Sequence, residues 1–237
     1  MSEFINLVQA VLTSDNLKFL GEGLILSIKF SIIVIFGSLA LGIILALTRN
    51  YAPKPLKLLS VCYVELFRNT PLLLWILFAR FTLLKMFNIS AFQAIVITFI
   101  FFCASGLSEI VRGGLKAIGK GQFEAAESQG FTFVQTIIYI ILPQTIKLVI
   151  PQLLQTIITI FKDSSYLSTI GVVDFMYQSR RLMAHFFQAD QIMFIFVYMA
   201  GIYFIINFGL SLVVRHMTSK KREAKKRMKL SRKLQTV

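Results

Sequence analysis

The chain is 237 residues long, 56% of them hydrophobic, with a mean hydropathy of +0.73, 23 phenylalanines and a formal net charge of +14. That much apolar surface exceeds what a soluble domain of this length can bury, so an integral membrane protein is implied. A lipid-spanning sheet is excluded as well, because a β-barrel shows short alternating segments rather than continuous apolar runs.

Residues 1–22 are polar and mixed in charge and read as an extracytoplasmic N-terminal segment. Phe4, Leu7, Val8 and Val11 at helical spacing suggest a short amphipathic helix on the outer face. The apolar run from Leu24 is longer than a signal-peptide core, so it is expected to remain as the first span. Five stretches reach the ~20 residues that cross a ~30 Å hydrocarbon core: residues 24–47, 58–84, 91–111, 133–161 and 192–214. The expected fold is an all-α integral membrane bundle of about five transmembrane helices, with a membrane domain at 23–214 and a basic tail at 215–237. Cys62 and Cys103 fall inside spans, where they pack as small apolar residues, and no cluster of His, Cys or carboxylates has metal-ligand spacing.

Lys and Arg near the span ends set the orientation. With the N-terminus outside, Arg49, Lys54, Lys57, Arg112, Lys116, Lys120 and the tail lie inside, leaving Lys18, Lys85, Lys162, Arg180 and Arg181 outside. The C-terminus is therefore expected in the cytoplasm. The tail holds ten of the 25 basic residues against one acid, Glu223. Anionic membrane lipids are its expected partner, a merely solvated end the alternative. Nucleic acid is not expected, because no stacking aromatics are interleaved with the charges.

Several polar segments interrupt the apolar runs. In the second span Glu65 and Arg68 stand three positions apart, on one helix face, just before Thr70 and Pro71; Glu109 and Arg112 repeat that spacing at the end of the third. Both are expected to be structural ion pairs, which lower the cost of charge near lipid, with direct substrate contact as the alternative. A small-residue island follows, Gly121, Gln122, Phe123, Glu124, Ala125, Ala126 and, after three residues, Gly130. Phe123 to Ser128 reads as a short helix whose alanines permit close approach, with Gly130 ending it in a left-handed conformation. In the fourth span Pro143 and Pro151 each remove a helix donor, so a broken helix lining a cavity is expected. Gln152, Gln155, Thr156, Thr159, Asp163, Ser164 and Ser165, with Thr70, offer hydrogen-bonding groups to a zwitterion, although glutamines and threonines equally bond neighbouring helices. Asp163 is either a pathway element or the partner of Lys162 or of another subunit's charge.

The order Glu124-Ala125-Ala126, three residues, Gly130, nine residues, Ile140, one residue, Leu142-Pro143 resembles the signature of permease subunits of bacterial ATP-binding-cassette importers. Glu65 to Leu72 and Glu109 to Gly114 resemble the E-x-F-R-x-T-P-L and E-x-x-R-G-G patterns of the polar amino acid permeases (glutamine, histidine and arginine type) within that family. The resemblance implies a type I importer bundle in which a cytoplasmic coupling helix, here within about 117–131 and including Gly121 to Ala126 and Gly130, inserts into a separate ATPase subunit. It further implies two ATPase subunits holding ATP and Mg, a second permease chain identical or homologous, an external amino acid-binding protein, and a bacterial inner-membrane location. This chain, without a phosphate-binding loop of its own, is then a transport subunit that binds no cofactor and not an enzyme. The family pattern is departed from at Asn69 (usually Gly), Trp75 (Gln), Gly119 (Pro) and Tyr166 (Leu). Members that move basic amino acids can carry an acid at the position of Thr156, so a polar, glutamine-like substrate is favoured. The alternative is a gated channel or passive facilitator for small polar solutes.

Overall fold

A computed structural model describes the backbone of residues 2–234 and the side chains of residues 5–216. Most charges of the basic tail therefore lie outside the described side chains. In chain order the helices are α1 (Ser2–Val11), α2 (Ser14–Tyr51), α3 (Lys54–Arg68), α4 (Leu72–Phe78), α5 (Leu84–Phe87), α6 (Ala91–Lys116), α7 (Lys120–Ser128), α8 (Phe133–Gln135), α9 (Leu142–Asp163), α10 (Phe175–Met183) and α11 (Ala189–Leu234). No strand interrupts them among the described residues, as expected of a chain whose backbone polar groups must be satisfied within each segment in lipid.

The central pair is α2 against α6. Gly23, Ser27, Ser31, Ser38, Gly42 and Ala46 fall on one buried face of α2 at spacings of four or seven residues. Such a stripe lets backbones approach, which is what drives helix association where lipid removes the hydrophobic incentive. A Cβ on Gly37 would sit 2.6 Å from Ile100 Cδ1, and one on Gly42 3.0 Å from Leu107 Cβ. The buried hydroxyls bond back within their own helix, Ser31 to Ser27 O at 2.8 Å and Thr98 to Ala94 O at 2.8 Å. Phe30 and Phe99 meet edge to face at 5.0 Å, with Val34, Ile76, Ile95 and Leu167 around them.

At 38 residues, α2 is ~57 Å long, well beyond the hydrocarbon thickness. Lys29 and Arg49 lie about 30 Å apart along it, a distance that matches that thickness and leaves a helical extension before Lys29. There α10 docks: Phe175 N–H donates to Ser27 Oγ at 3.2 Å, and α1 joins the same cluster through Val11. The helix thus starts ten residues before the expected span, and the N-terminal segment forms the expected short helix, which packs against α11.

Two expectations about span continuity are reversed. The second span, read as one run over 58–84, is two helical stretches, Lys54–Arg68 and Leu72–Phe87, bent by 99°. The fourth, expected to break at Pro143 and Pro151, is one run over Phe133–Ile170. Its chain widens into a π-helical turn over Thr136–Ile141, where Leu142 N–H reaches back to Ile137 O, and this looser turn leaves room for the Pro143 ring. It then tightens into a 3₁₀ segment, Ser164–Ile170, ending at Gly171 with φ +81°. Arg80 Nη1 donates to Ile170 O at 2.8 Å, a cation on the last free carbonyl. At the second-span bend, side chains replace the lost backbone bonds: Thr70 Oγ1 donates to Leu66 O at 2.7 Å and accepts from Trp75 Nε1 at 2.7 Å.

Outside the spans, Asp174 is fully buried and caps α10, accepting from Tyr177 N at 2.9 Å and Met176 N at 3.2 Å. Burial pushes its carboxyl up to about 6, against the two cap hydrogen bonds. The raised folded value means its contribution to stability is complete below the unfolded carboxyl range near 4 and is lost as pH rises through about 6. Thermal melts of the solubilised protein should therefore show stability falling between pH 4 and pH 7, and Asp174→Asn, which keeps a cap oxygen without the charge, should flatten that slope. An unchanged slope in the variant would contradict this.

Candidate functional site

The segment between the third and fourth spans folds as α7, begun at Gly119 and closed by a Schellman turn. Phe131 N–H reaches Ala126 O at 3.1 Å and Gly130 N–H reaches Glu127 O at 2.9 Å, with Gly130 at φ +81°. Both bonds satisfy carbonyls the helix end would otherwise orphan. Inward, Ala126 is 2% exposed and Phe123 packs onto a cluster of Ala46, Val111, Leu115, Ile137 and Ile141. Gln122 Oε1 accepts from Gln144 Nε2 at 2.9 Å. Outward stand Gly121, Glu124, Ala125 and Glu127, all exposed. Of the residues assigned to docking, Phe123 and Ala126 thus anchor α7 to its own bundle, Gln122 is exposed while bonded to α9, and the free face is made by the others.

An aromatic bridge continues the anchor. The Tyr51 ring, at the last residue of α2, meets Phe123 at 6.5 Å and Phe133 at 5.4 Å. Two residues earlier, Arg49 pairs with Glu109 Oε1. Glu109 Oε2 accepts from Arg112 Nε at 3.0 Å, as its spacing predicts, and Arg68 Nη1 stands 3.6 Å from Oε1. One carboxylate therefore meets guanidinium groups from three helices.

The pair expected between Glu65 and Arg68 does not form. Glu65 is exposed and accepts from Asn69 Nδ2 at 3.0 Å, while Arg68 leans across to α6. Spacing tells which groups share a helix face, but α3 crosses α6 closely enough for Arg68 to reach Glu109, already held by two stronger partners. The departures at Asn69 and Trp75 acquire roles here, Asn69 as the partner of Glu65 and Trp75 stacking on Phe67 at 4.4 Å across the bend.

Glu109 lines a cavity of about 840 Å³ between α6 and α9, with Gly113, Gln152, Gln155, Thr156 and Thr159 among its walls. A second cavity, about 270 Å³, shares Thr156 and Thr159 and adds Arg68, Ser105 and Asp163. Gln152, Gln155, Thr156, Thr159 and Asp163 are therefore brought together. Ser164 is buried and bonds Phe161 O at 2.8 Å, Ser165 lines a different recess toward α11, and Thr70 holds the bend, so these three are not in the group. Arg49 entered the sequence reading only as an inside charge and Tyr51 not at all; the signal was depth, since Arg49 ends the first span on the same side as Glu109. Gly114 was quoted only as part of a motif, yet a Cβ there would lie 2.5 Å from Val149 Cγ1, so it sets the α6 to α9 spacing.

The profile described as binding-protein-dependent transport system inner membrane component matches residues 38–223. The probable glutamine ABC transporter permease GlnM of Bacillus subtilis (strain 168) is 33% identical over 205 residues, 86% of this chain and 93% of the relative. The L-cystine transport system permease TcyB of the same organism is 35% identical over 196 residues, 82% of each chain. A crystal structure of an amino acid ABC transporter with histidines superposes with a TM-score of 0.73 at 29% identity, over 86% of this chain and 94% of that one. The inward-facing MetNI methionine ABC transporter superposes with a TM-score of 0.69 at 18% identity, over 87% and 99%, a likeness of fold alone.

Removing Glu109 strands the partly buried guanidinium groups of Arg49 and Arg112, whereas removing Glu65 strands none. Glu109→Ala should lower stability by ~2–3 kcal/mol, between the exposed and fully buried limits, and Glu65→Ala by less than ~1 kcal/mol, measured by denaturation in detergent. Equal effects would contradict the observed pairing.

Proposed function

The chain belongs to the family of inner-membrane components of binding-protein-dependent transport systems, and from that membership we propose that it is the permease subunit of an ATP-driven importer of a polar, glutamine-like amino acid. The observation that carries the reading is α7, one side fixed to the bundle by Phe123 and Ala126 and the other exposed. In this reading Gly121, Glu124 and Ala125 dock into a partner ATPase subunit, and two such subunits hold ATP and Mg. A second permease chain, identical or homologous, completes the path, and an external amino acid-binding protein delivers substrate. The N-terminus faces outward, and α7 and the C-terminus face the cytoplasm of a bacterial cell.

The substrate class is supported by the names of the relatives and by the polar wall of Gln155, Thr156, Thr159 and Asp163. A hydroxyl at Thr156 favours a neutral substrate over a cationic one. When nucleotide closes the ATPase pair, α7 follows it. Phe123 carries Tyr51 with it, and Arg49 on the same turn carries Glu109, so the stroke reaches the cavity wall. Differential contact of α7 with the ATP-bound and ATP-free partner is what selects between two packings of the bundle.

Gly130 takes a backbone conformation that costs a side-chain-bearing residue ~1–2 kcal/mol, and no neighbouring atom blocks a Cβ there. Gly130→Leu together with Glu124→Lys should therefore leave membrane insertion intact, while co-purification of the ATPase and ATP-dependent uptake fall at least ~10-fold, a loss of about 1.4 kcal/mol in coupling. Undiminished co-purification and uptake would overturn the docking role. Uptake that proceeds without nucleotide would point to the facilitator.

A further inference from the structure

We propose that Arg68 reads the α-carboxylate of the transported amino acid, an assignment that rests on the transport reading above. Its pairing with Glu109 leaves it unsatisfied: Oε1 is held by Arg49 and Oε2 by Arg112, and Arg68 Nη1 stops at 3.6 Å, beyond hydrogen-bond reach. Three guanidinium groups around one carboxylate leave two surplus positive charges. Arg68 is the one free to use its charge, with a side chain 47% exposed against 10% for Arg49 and 26% for Arg112. An ionisable group inside a membrane bundle without a full partner marks a pathway.

The surroundings of Arg68 define what completes it. It lines the cavity of about 270 Å³ together with Ser105, Thr156, Thr159 and Asp163. A guanidinium fork and a carboxylate in one cavity, lined also by hydroxyls, match the two charged ends of a zwitterion. The fork presents parallel donors to a carboxylate, which a lysine ammonium does not. Thr156 and Thr159 already donate to Gln152 O at 3.1 Å and Gln155 O at 3.3 Å, so their oxygens keep lone pairs for an ammonium beside Asp163. Arg68 also closes α3 at the 99° bend, whose side-chain bonds hold the helix end in place.

The test uses the purified permease–ATPase complex without its binding protein, so that only the membrane site reports. Bound radiolabelled glutamine is displaced by glutamine or by its α-carboxamide, which differs only in lacking the carboxylate charge. Wild type should prefer the carboxylate by roughly 10- to 100-fold, as expected for a charge-assisted contact. Arg68→Gln should abolish that preference, and Arg68→Lys should retain a reduced one. A residue that merely steadies Glu109 would weaken both ligands alike, so an unchanged preference in Arg68→Gln overturns the assignment while leaving the transport reading in place. Should Arg68→Gln fail to assemble with the ATPase, an unchanged preference in Arg68→Lys overturns it. If wild type binds neither ligand, the transport reading and the assignment fall together.

Discussion

Glu109 ties α2, α3 and α6 together by facing Arg49, Arg68 and Arg112 at once. Charges at that depth are expensive to desolvate, and a carboxylate that serves several cations is hard to replace without stranding them. The same residue lines the larger cavity, and Arg49 sits on the same turn of α2 as Tyr51. An aromatic bridge from Tyr51 to Phe123 then links that charged centre to α7. A surface helix and a cavity wall are thereby joined through one side-chain chain, without a backbone connection between them being strained.

The rest of the bundle divides into parts suited to move together and parts suited to bend. The α2 and α6 pair is close-packed along a stripe of glycines and serines, so it behaves as one body. The 99° bend at Asn69 to Pro71, the π-helical turn before Pro143 and the 3₁₀ segment after Asp163 lie around it. Each departs from regular α geometry, and the bend and the 3₁₀ segment adjoin Arg68 and Asp163, which line the smaller cavity. Rigid-body motion about such places is how packed helices respond to a partner, because cores switch between arrangements rather than deform smoothly.

Much of this is legible in the sequence where local chemistry decides it. Apolar length placed most of the spans, and Gly130 announced a left-handed helix end because only its lack of a Cβ makes that conformation easy. Pairing between Glu109 and Arg112 follows from one turn of helix. The failure at Glu65 and Arg68 is of another kind, since the competing partner came from a helix distant in sequence. Prolines also misled: Pro143 and Pro151 were read as breaks, but a wider turn absorbed the first and the helix continued through the second, while Pro71, beside Asn69 and Thr70, does mark a bend. Which alanine of α7 faces inward was likewise hidden until Phe123 set the direction.

The central claim is that the outer face of α7 is presented to an ATPase on the cytoplasmic side. It is tested most directly by placing a reactive thiol there, Ala125→Cys, in a chain whose Cys62 and Cys103 are changed to Ser. A membrane-impermeant thiol reagent should label this position in inside-out vesicles and not in right-side-out ones, and bound ATPase should protect it. Labelling from the outer side, or labelling that the ATPase leaves untouched, would contradict the account.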